Sequence, residues 1–180
     1  MDSSYRQVLI TGASSGIGRA LALWFAARGA TVHAAARRED ALRALQEEAK
    51  GSPGAIEPFP LDVTQGAKTV EALRALDAKV GGLDLVIANA GLGGDTPAHR
   101  TDWKTVEAML QVNVVGATAT LTALLPAMVE RRRGHVVGIS SLAAFVTWPR
   151  VTTYSASKAY LSHLLAGLRL ELKEIGRAHV

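Results

Sequence analysis

Val8-Leu9-Ile10-Thr11-Gly12-Ala13-Ser14-Ser15-Gly16-Ile17-Gly18 passes from an apolar, strand-forming run into a glycine-rich turn and then into a helical stretch. Each glycine has its own physical task. Gly12 lets the backbone leave the strand, Gly16 lets the chain approach a phosphate with no Cβ in between, and Gly18 permits close packing of helix on strand. The helix behind the turn offers unpaired N–H groups and the positive end of its dipole, which suit a pyrophosphate. A glycine triplet can also be a merely structural turn. Set between strand and helix, it predicts a dinucleotide site built from Gly12, Ser14, Ser15, Gly16, Ile17 and Gly18.

Outward from this turn, short β-branched or apolar runs alternate with helical stretches. The runs are Val8 to Ile10, Thr31 to Ala34, Ile56 to Leu61, Leu85 to Ile87 and His135 to Ile139. The helical stretches are Ile17 to Arg28, Glu39 to Lys50, Thr69 to Lys79, Trp103 to Glu130 and Thr153 to Ile175. In the first of these, Ile17, Leu21, Trp24 and Phe25 recur at helical spacing and predict one apolar face. The β-α-β rhythm predicts an α/β fold, a doubly wound parallel sheet of the Rossmann type with strand order 3-2-1-4-5. Ligands of such sheets bind beyond the carboxyl ends of the strands, so the chemistry is expected along that edge.

Composition narrows the classes. The chain has 180 residues, 48% of them hydrophobic and 20% charged, enough for one buried core, and no linker or repeat divides it. It has no Cys, so disulfides, thiolate metal sites and a cysteine nucleophile are excluded. The five His residues are scattered without ligand spacing, and no metal site is expected. A net charge of +4 does not make a nucleic-acid surface, and Arg131-Arg132-Arg133 before Gly134 reads as a solvated loop. No apolar run is read as long enough to cross a bilayer, and no signal-peptide core follows Met1, so a cytoplasmic protein is expected.

Beyond the second strand, where an acidic residue would bind a ribose 2′-hydroxyl, the chain reads Ala36-Arg37-Arg38. A carboxylate would repel a 2′-phosphate, whereas an arginine fork pairs with it, so NADP(H) is expected over NAD(H). The competing reading makes Arg37 and Arg38 a solvated loop ahead of Glu39 and Asp40. Asp62-Val63 follows the third strand and Asn89-Ala90-Gly91 the fourth, and each also suits an ordinary turn or helix lead-in. In Tyr154-Ser155-Ala156-Ser157-Lys158, the i and i+4 side chains share a helix face, and a cation beside a phenol favours its phenolate form. Trp103 and Trp148 either line a pocket or pack.

Together these stretches resemble the short-chain dehydrogenase/reductase family, from Thr11 through Lys158 and into the helix beyond. The G-x-x-x-G-x-G spacing preceded by Thr11 is of that type. The resemblance implies that Asp62 and Val63 contact the adenine and that Asn89, Ala90 and Gly91 shape the cofactor floor; Ala88 stands where the family has a second Asn. It implies a catalytic set of Asn113, Ser141, Tyr154 and Lys158. Ser141 is preferred to Ser140 because it lies thirteen residues before Tyr154; strand alternation would turn only one of the two hydroxyls into the cleft. Asn113 would order a water against Lys158, a reason for a polar residue in the middle of a helix. Tyr154 and Lys158 would also touch the cofactor. The implied reaction is the interconversion of a carbonyl and an alcohol; separately, the Ala- and Leu-rich stretches Val114 to Val129 and Ala159 to Leu170 suit helix-on-sheet burial and the pairing of long helices in a homo-oligomer. The same resemblance implies that residues 1–180 are one domain lacking the family's sixth and seventh strands at its C-terminal side. A non-catalytic NADP(H)-binding module is the alternative that this departure leaves open.

Overall fold

The computed structural model describes residues 5–175. Five strands, β1 (Gln7–Thr11), β2 (Thr31–Ala36), β3 (Ala55–Pro60), β4 (Leu85–Ala88) and β5 (His135–Gly138), form one parallel sheet of order β3-β2-β1-β4-β5. The expected order is therefore present. The β1–β2 register runs from Gln7 opposite Thr31 to Thr11 opposite Ala35, and β4 lies on the other side of β1 with Ile10 opposite Ile87. Gly176–Val180, where the sequence suggested the approach to a sixth strand, lie outside the described residues.

Strand alternation divides the core in two, because neighbouring side chains point to opposite faces. Val8, Ile10, Val32, Ala34 and Ile87 pack on one face with Ala22, Phe25 and Ala26 of α1 (Gly16–Ala26) and Leu42 and Leu45 of α2 (Glu39–Glu48). Leu9, Ala35, Val86 and Val136 pack on the other with Leu73 and Leu76 of α3 (Gly66–Lys79). That second layer also holds Leu121, Met128 and Leu161 from the helices after β4 and β5. Covering both faces explains why the central strands are almost wholly apolar.

Two expected helices are corrected. In α1 the buried stripe is Gly18, Ala22, Phe25 and Ala26, while Ile17 and Trp24 are 61% and 48% exposed. Small residues face the sheet because the helix approaches it closely, and Ile17 turns into the cleft instead. The stretch from Trp103 to Glu130 is not one regular helix. It comprises α4 (Trp103–Leu110), a π-helical segment (Gln111–Gly116), α5 (Ala117–Thr122) and α6 (Leu125–Glu130). Pro126 near the start of α6 has no N–H to continue the preceding turn. Against expectation, this run is long and apolar enough by length and composition to cross a membrane, and half of its apolar window is buried in the protein. The last helix, α7 (Thr152–Ile175), begins two residues later than the Arg150 turn.

The arginine run is corrected in part. Arg131 donates to both oxygens of the buried Asp77, at 2.6 and 3.0 Å, and to the Leu83 carbonyl at 2.9 Å, while Arg133 pairs with Asp84 at 3.2 Å. Arg131 thus clamps the α3–β4 connection to the end of α6, while Arg132 and Arg133 are exposed, as expected for a solvated loop.

Candidate active site

At the carboxyl ends of the strands, Gly12 has φ +68°, and a Cβ on it would lie 2.8 Å from Ala90 Cα. A Cβ on Gly18 would lie 2.5 Å from the Gly12 carbonyl oxygen and 2.4 Å from Asn89 Nδ2. All three distances are below any real Cβ contact, so the turn closes on the β4 loop only because both positions are glycine. Gly16, at φ +55°, would meet nothing within 4 Å; it faces open space where a ligand can approach the backbone. Asn89 locks this arrangement by donating from Nδ2 to the carbonyls of Thr11 and Gly12, at 3.0 and 3.3 Å. Thr11, given no role beyond its place in the motif, proves to be the second lock: its buried Oγ1 accepts from the backbone N–H of Asn89 and of Ala90, at 3.1 and 3.2 Å. A Thr directly before the first glycine was the available signal.

The result is a cleft of about 500 Å³. Gly12, Ser14, Ser15 and Ile17 line it from the turn, and Asn89, Ala90 and Gly91 from β4. Arg37 and Arg38, both exposed, close the β2 side. Arg38 stands at the N-cap position of α2 without a side-chain capping bond and donates from Nη2 to Ser14 Oγ at 3.0 Å, so its exposed guanidinium leans over the glycine turn. Asp62 and Val63 complete the wall, joined by Leu61, Thr64 and Leu92, which sequence alone did not single out. The Asp62 carboxylate accepts from Thr64 N–H and Thr64 Oγ1, at 3.1 and 2.8 Å, the ordinary turn that was its competing reading, while still bordering the cleft. Neither Gly16, which is exposed, nor Gly18, which is buried in the turn, lines the cleft itself. An open backbone turn at a helix N-terminus, with two guanidiniums on one side, fits a dinucleotide phosphate.

The four expected catalytic residues are not part of that wall; Lys158 and Asn113 approach it at Gly91, and Tyr154 lies beside Lys158. Lys158 is buried, and its Nζ donates to the Ile139 carbonyl at 2.8 Å and lies 5.9 Å from the centre of the Tyr154 ring. Burial pushes its pKa below the usual lysine value. Gly91 connects the two halves: a Cβ there would lie 3.5 Å from Lys158 Nζ and 3.7 Å from Asn113 Oδ1.

Asn113 sits in the π-helical segment, and its side chain ties two loops together. Oδ1 accepts from Leu92 N–H at 2.8 Å, while Nδ2 donates to the Leu92 carbonyl at 2.9 Å and to Ser157 Oγ at 3.0 Å. Ser157 in turn donates to the Tyr154 carbonyl at 2.7 Å, which makes it and Leu92 two further supporting residues. Neither was visible from spacing, since the contact joins residues on separate loops. The two neighbouring serines make different contacts. Ser140 Oγ is turned under α7, 2.7 Å from Ser162 Oγ and donating to the Lys158 carbonyl at 3.2 Å. Ser141 Oγ accepts from Ala143 N–H at 3.1 Å, which leaves its own proton free to donate.

Among the described residues, no three His, Cys, Asp or Glu side chains group closely enough to hold a metal ion. His33 bonds Gln7 Oε1 at 2.8 Å within the sheet, and burial holds its pKa below the ordinary value. His135 Nδ1 meets Tyr5 OH at 2.7 Å.

Comparison with known proteins agrees with this geometry. The chain is 54% identical over 175 residues to an uncharacterized oxidoreductase of Myxococcus xanthus, covering 97% of this chain and 69% of that one. It is 36% identical over 168 residues to an NADP-dependent 3-hydroxy acid dehydrogenase of Salmonella typhi, covering 92% of this chain and 66% of that protein. The chain thus spans about two thirds of the length of these relatives. A short-chain dehydrogenase of Sphingobium yanoikuyae, solved in complex with NADPH, superimposes with a TM-score of 0.86 at 31% identity, over 97% of this chain and 68% of that one. The short chain dehydrogenase family model matches residues 6–177, and with sheet order, glycine turn and the Tyr-Lys helix all in place, the chain belongs to the short-chain dehydrogenase family.

Proposed function

We propose that this chain interconverts a carbonyl and an alcohol with NADP(H), and that Tyr154 exchanges the proton. The observation that carries this reading is the position of Lys158: one buried ammonium lies 5.9 Å from the Tyr154 ring centre and also faces Gly91 at the end of the glycine-turn cleft. The proton-transfer pair therefore stands where the cofactor cleft opens toward β5.

When bound, the dinucleotide supplies or accepts hydride at its nicotinamide carbon. In reduction, Tyr154 donates its phenolic proton to the oxygen on which negative charge develops. Ser141, with its own proton free, donates a hydrogen bond to the same oxygen. The Lys158 charge stabilises the phenolate left behind, and this residue would exchange its Ile139 carbonyl contact for the ribose hydroxyls. Asn113, with both side-chain N–H groups taken, has at most carbonyl oxygens with which to order the water that returns the proton. Its other task is to hold Leu92 and, through Ser157, the turn bearing Tyr154.

Arg37 and Arg38 are the residues that select a 2′-phosphate. The name of the Salmonella relative and the cofactor of the Sphingobium structure lend support. Self-association would use the exposed helical residues Tyr160 and Leu170 of α7.

Tyr154→Phe keeps the ring and removes the proton. NADPH-dependent carbonyl reduction should fall by about a hundredfold or more, while NADPH affinity measured by fluorescence stays within about threefold. Retained turnover in Tyr154→Phe would exclude the phenol as proton donor. Tight NADPH binding by a wild-type protein that turns over no carbonyl compound would instead favour a binding module.

A further inference from the structure

The loops after β4 and β5 meet at a contact that the proton chemistry above does not use. Arg150, just ahead of α7, has φ +74°, a left-handed conformation that a residue with a Cβ keeps only when its surroundings hold it there. Two neighbouring residues of the β4 loop do so. The Arg150 carbonyl accepts from the Thr96 N–H at 2.7 Å and from Thr96 Oγ1 at 3.3 Å. Its guanidinium forks onto the Asp95 carboxylate, Nε to Oδ1 at 2.9 Å and Nη2 to Oδ2. Thr96 is buried, while Asp95 and Arg150 are exposed. Backbone and side chain of one strained residue thus grip consecutive residues of another loop.

This grip has a counterpart at the other end of the same loop. Leu92 is pinned through both its N–H and its carbonyl by Asn113, which also holds Ser157 and so the carbonyl of Tyr154. The residue after Arg150, Val151, accepts the Ser155 N–H at 2.8 Å as α7 starts. The first turn of α7 is therefore tied to the β4 loop at both the loop's beginning and its end. We infer that Arg150 is a positioning residue, whose clasp on Asp95 and Thr96 fixes the first turn of α7 and with it the place of Tyr154 relative to Ser141. The inference rests on the reading of Tyr154 as the proton donor. The Arg150 hydrogen bond, and to a lesser degree the charges of Arg150, Arg100 and His99, hold the Asp95 carboxyl below its ordinary range, so the clasp is charged at neutral pH.

Arg150→Gln and Asp95→Ala break the same contact from opposite loops. In the NADPH complex, both should speed amide hydrogen exchange in the peptide spanning residues 145–156 by about three- to fivefold, the scale of an exposed ion pair. Both should lower kcat for benzaldehyde reduction by a similar factor and leave the KM for NADPH unchanged. Unaltered exchange in either variant would overturn the clasp, and so would faster exchange with wild-type kcat. Absence of benzaldehyde reduction by the wild-type protein would count against the Tyr154 reading alone, and the exchange rates would then decide the clasp.

Discussion

Gly18 and Gly167 are both helical glycines, and they predict opposite outcomes on gaining a methyl group. At Gly18 the new carbon would lie 2.5 Å from the Gly12 carbonyl oxygen, and neither helix nor turn can retreat without breaking the Asn89 lock. Gly18→Ala should therefore cost about 1–3 kcal/mol of stability, the usual penalty of overpacking. At Gly167, inside α7, a Cβ meets nothing within 4 Å, and Gly167→Ala should stabilise by about 0.5–1 kcal/mol through helix propensity. Urea unfolding midpoints of the two variants should move in opposite directions from wild type; a shift of both in one direction would contradict the packing described. The purposes of Gly12 and Gly18 were legible in sequence because strand–turn–helix geometry leaves few options. Ile17 lines the cleft, as its place in the glycine motif suggested, but it is not on the buried stripe, because helical spacing identifies an apolar stripe but not which part of it meets the sheet. At the start of a helix above an open cleft, an apolar side chain can face the ligand.

At the scale of elements, the π-helical segment Gln111–Gly116 is the least predictable piece of the fold and among the most consequential. Gly116 allows it to lie against Val63, where a Cβ would come within 2.8 Å of Val63 Cγ2. The extra residue of a π-turn rotates Asn113 inward to reach Leu92 and Ser157. Nothing in Gln111-Val112-Asn113-Val114-Val115-Gly116 departs from ordinary helical patterning, since the deviation is imposed by tertiary contacts. Asn113→Ala would strand the buried Ser157 hydroxyl and free the two backbone groups of the exposed Leu92, and unfolding should become easier by about 1–3 kcal/mol. A change under about 0.5 kcal/mol in denaturant unfolding would mean that this amide is not the strut described. Arg131 carries the same lesson in another element: three consecutive arginines read as solvated surface, yet its partner Asp77 lies far off in the chain, on α3.

Over the whole molecule, the division of labour follows the sheet. Strands β1, β2 and β3 deliver the glycine turn, the two arginines and Asp62 to the cleft, β4 delivers Asn89, Ala90 and Gly91, and β5 is followed by Ser141 and then by the helix that bears Tyr154 and Lys158. Strand order and the position of this edge were legible because a β-α-β rhythm with right-handed crossovers permits few arrangements. The links between loops were not legible, because hydrogen bonds such as Asn113 to Leu92 leave no periodic trace. The most direct measurement of the central claim, an NADP(H) site selected by Arg37 and Arg38, is fluorescence titration of NADPH and NADH into the wild-type protein and an Arg37→Asp, Arg38→Ala variant. The wild-type protein should bind NADPH tighter than NADH by about tenfold or more, the value of a charge-assisted contact of roughly 1.5–3 kcal/mol, and the variant should lose that difference while keeping its NADH affinity. Equal affinities in the wild-type protein, or an equal loss for both dinucleotides in the variant, would contradict it.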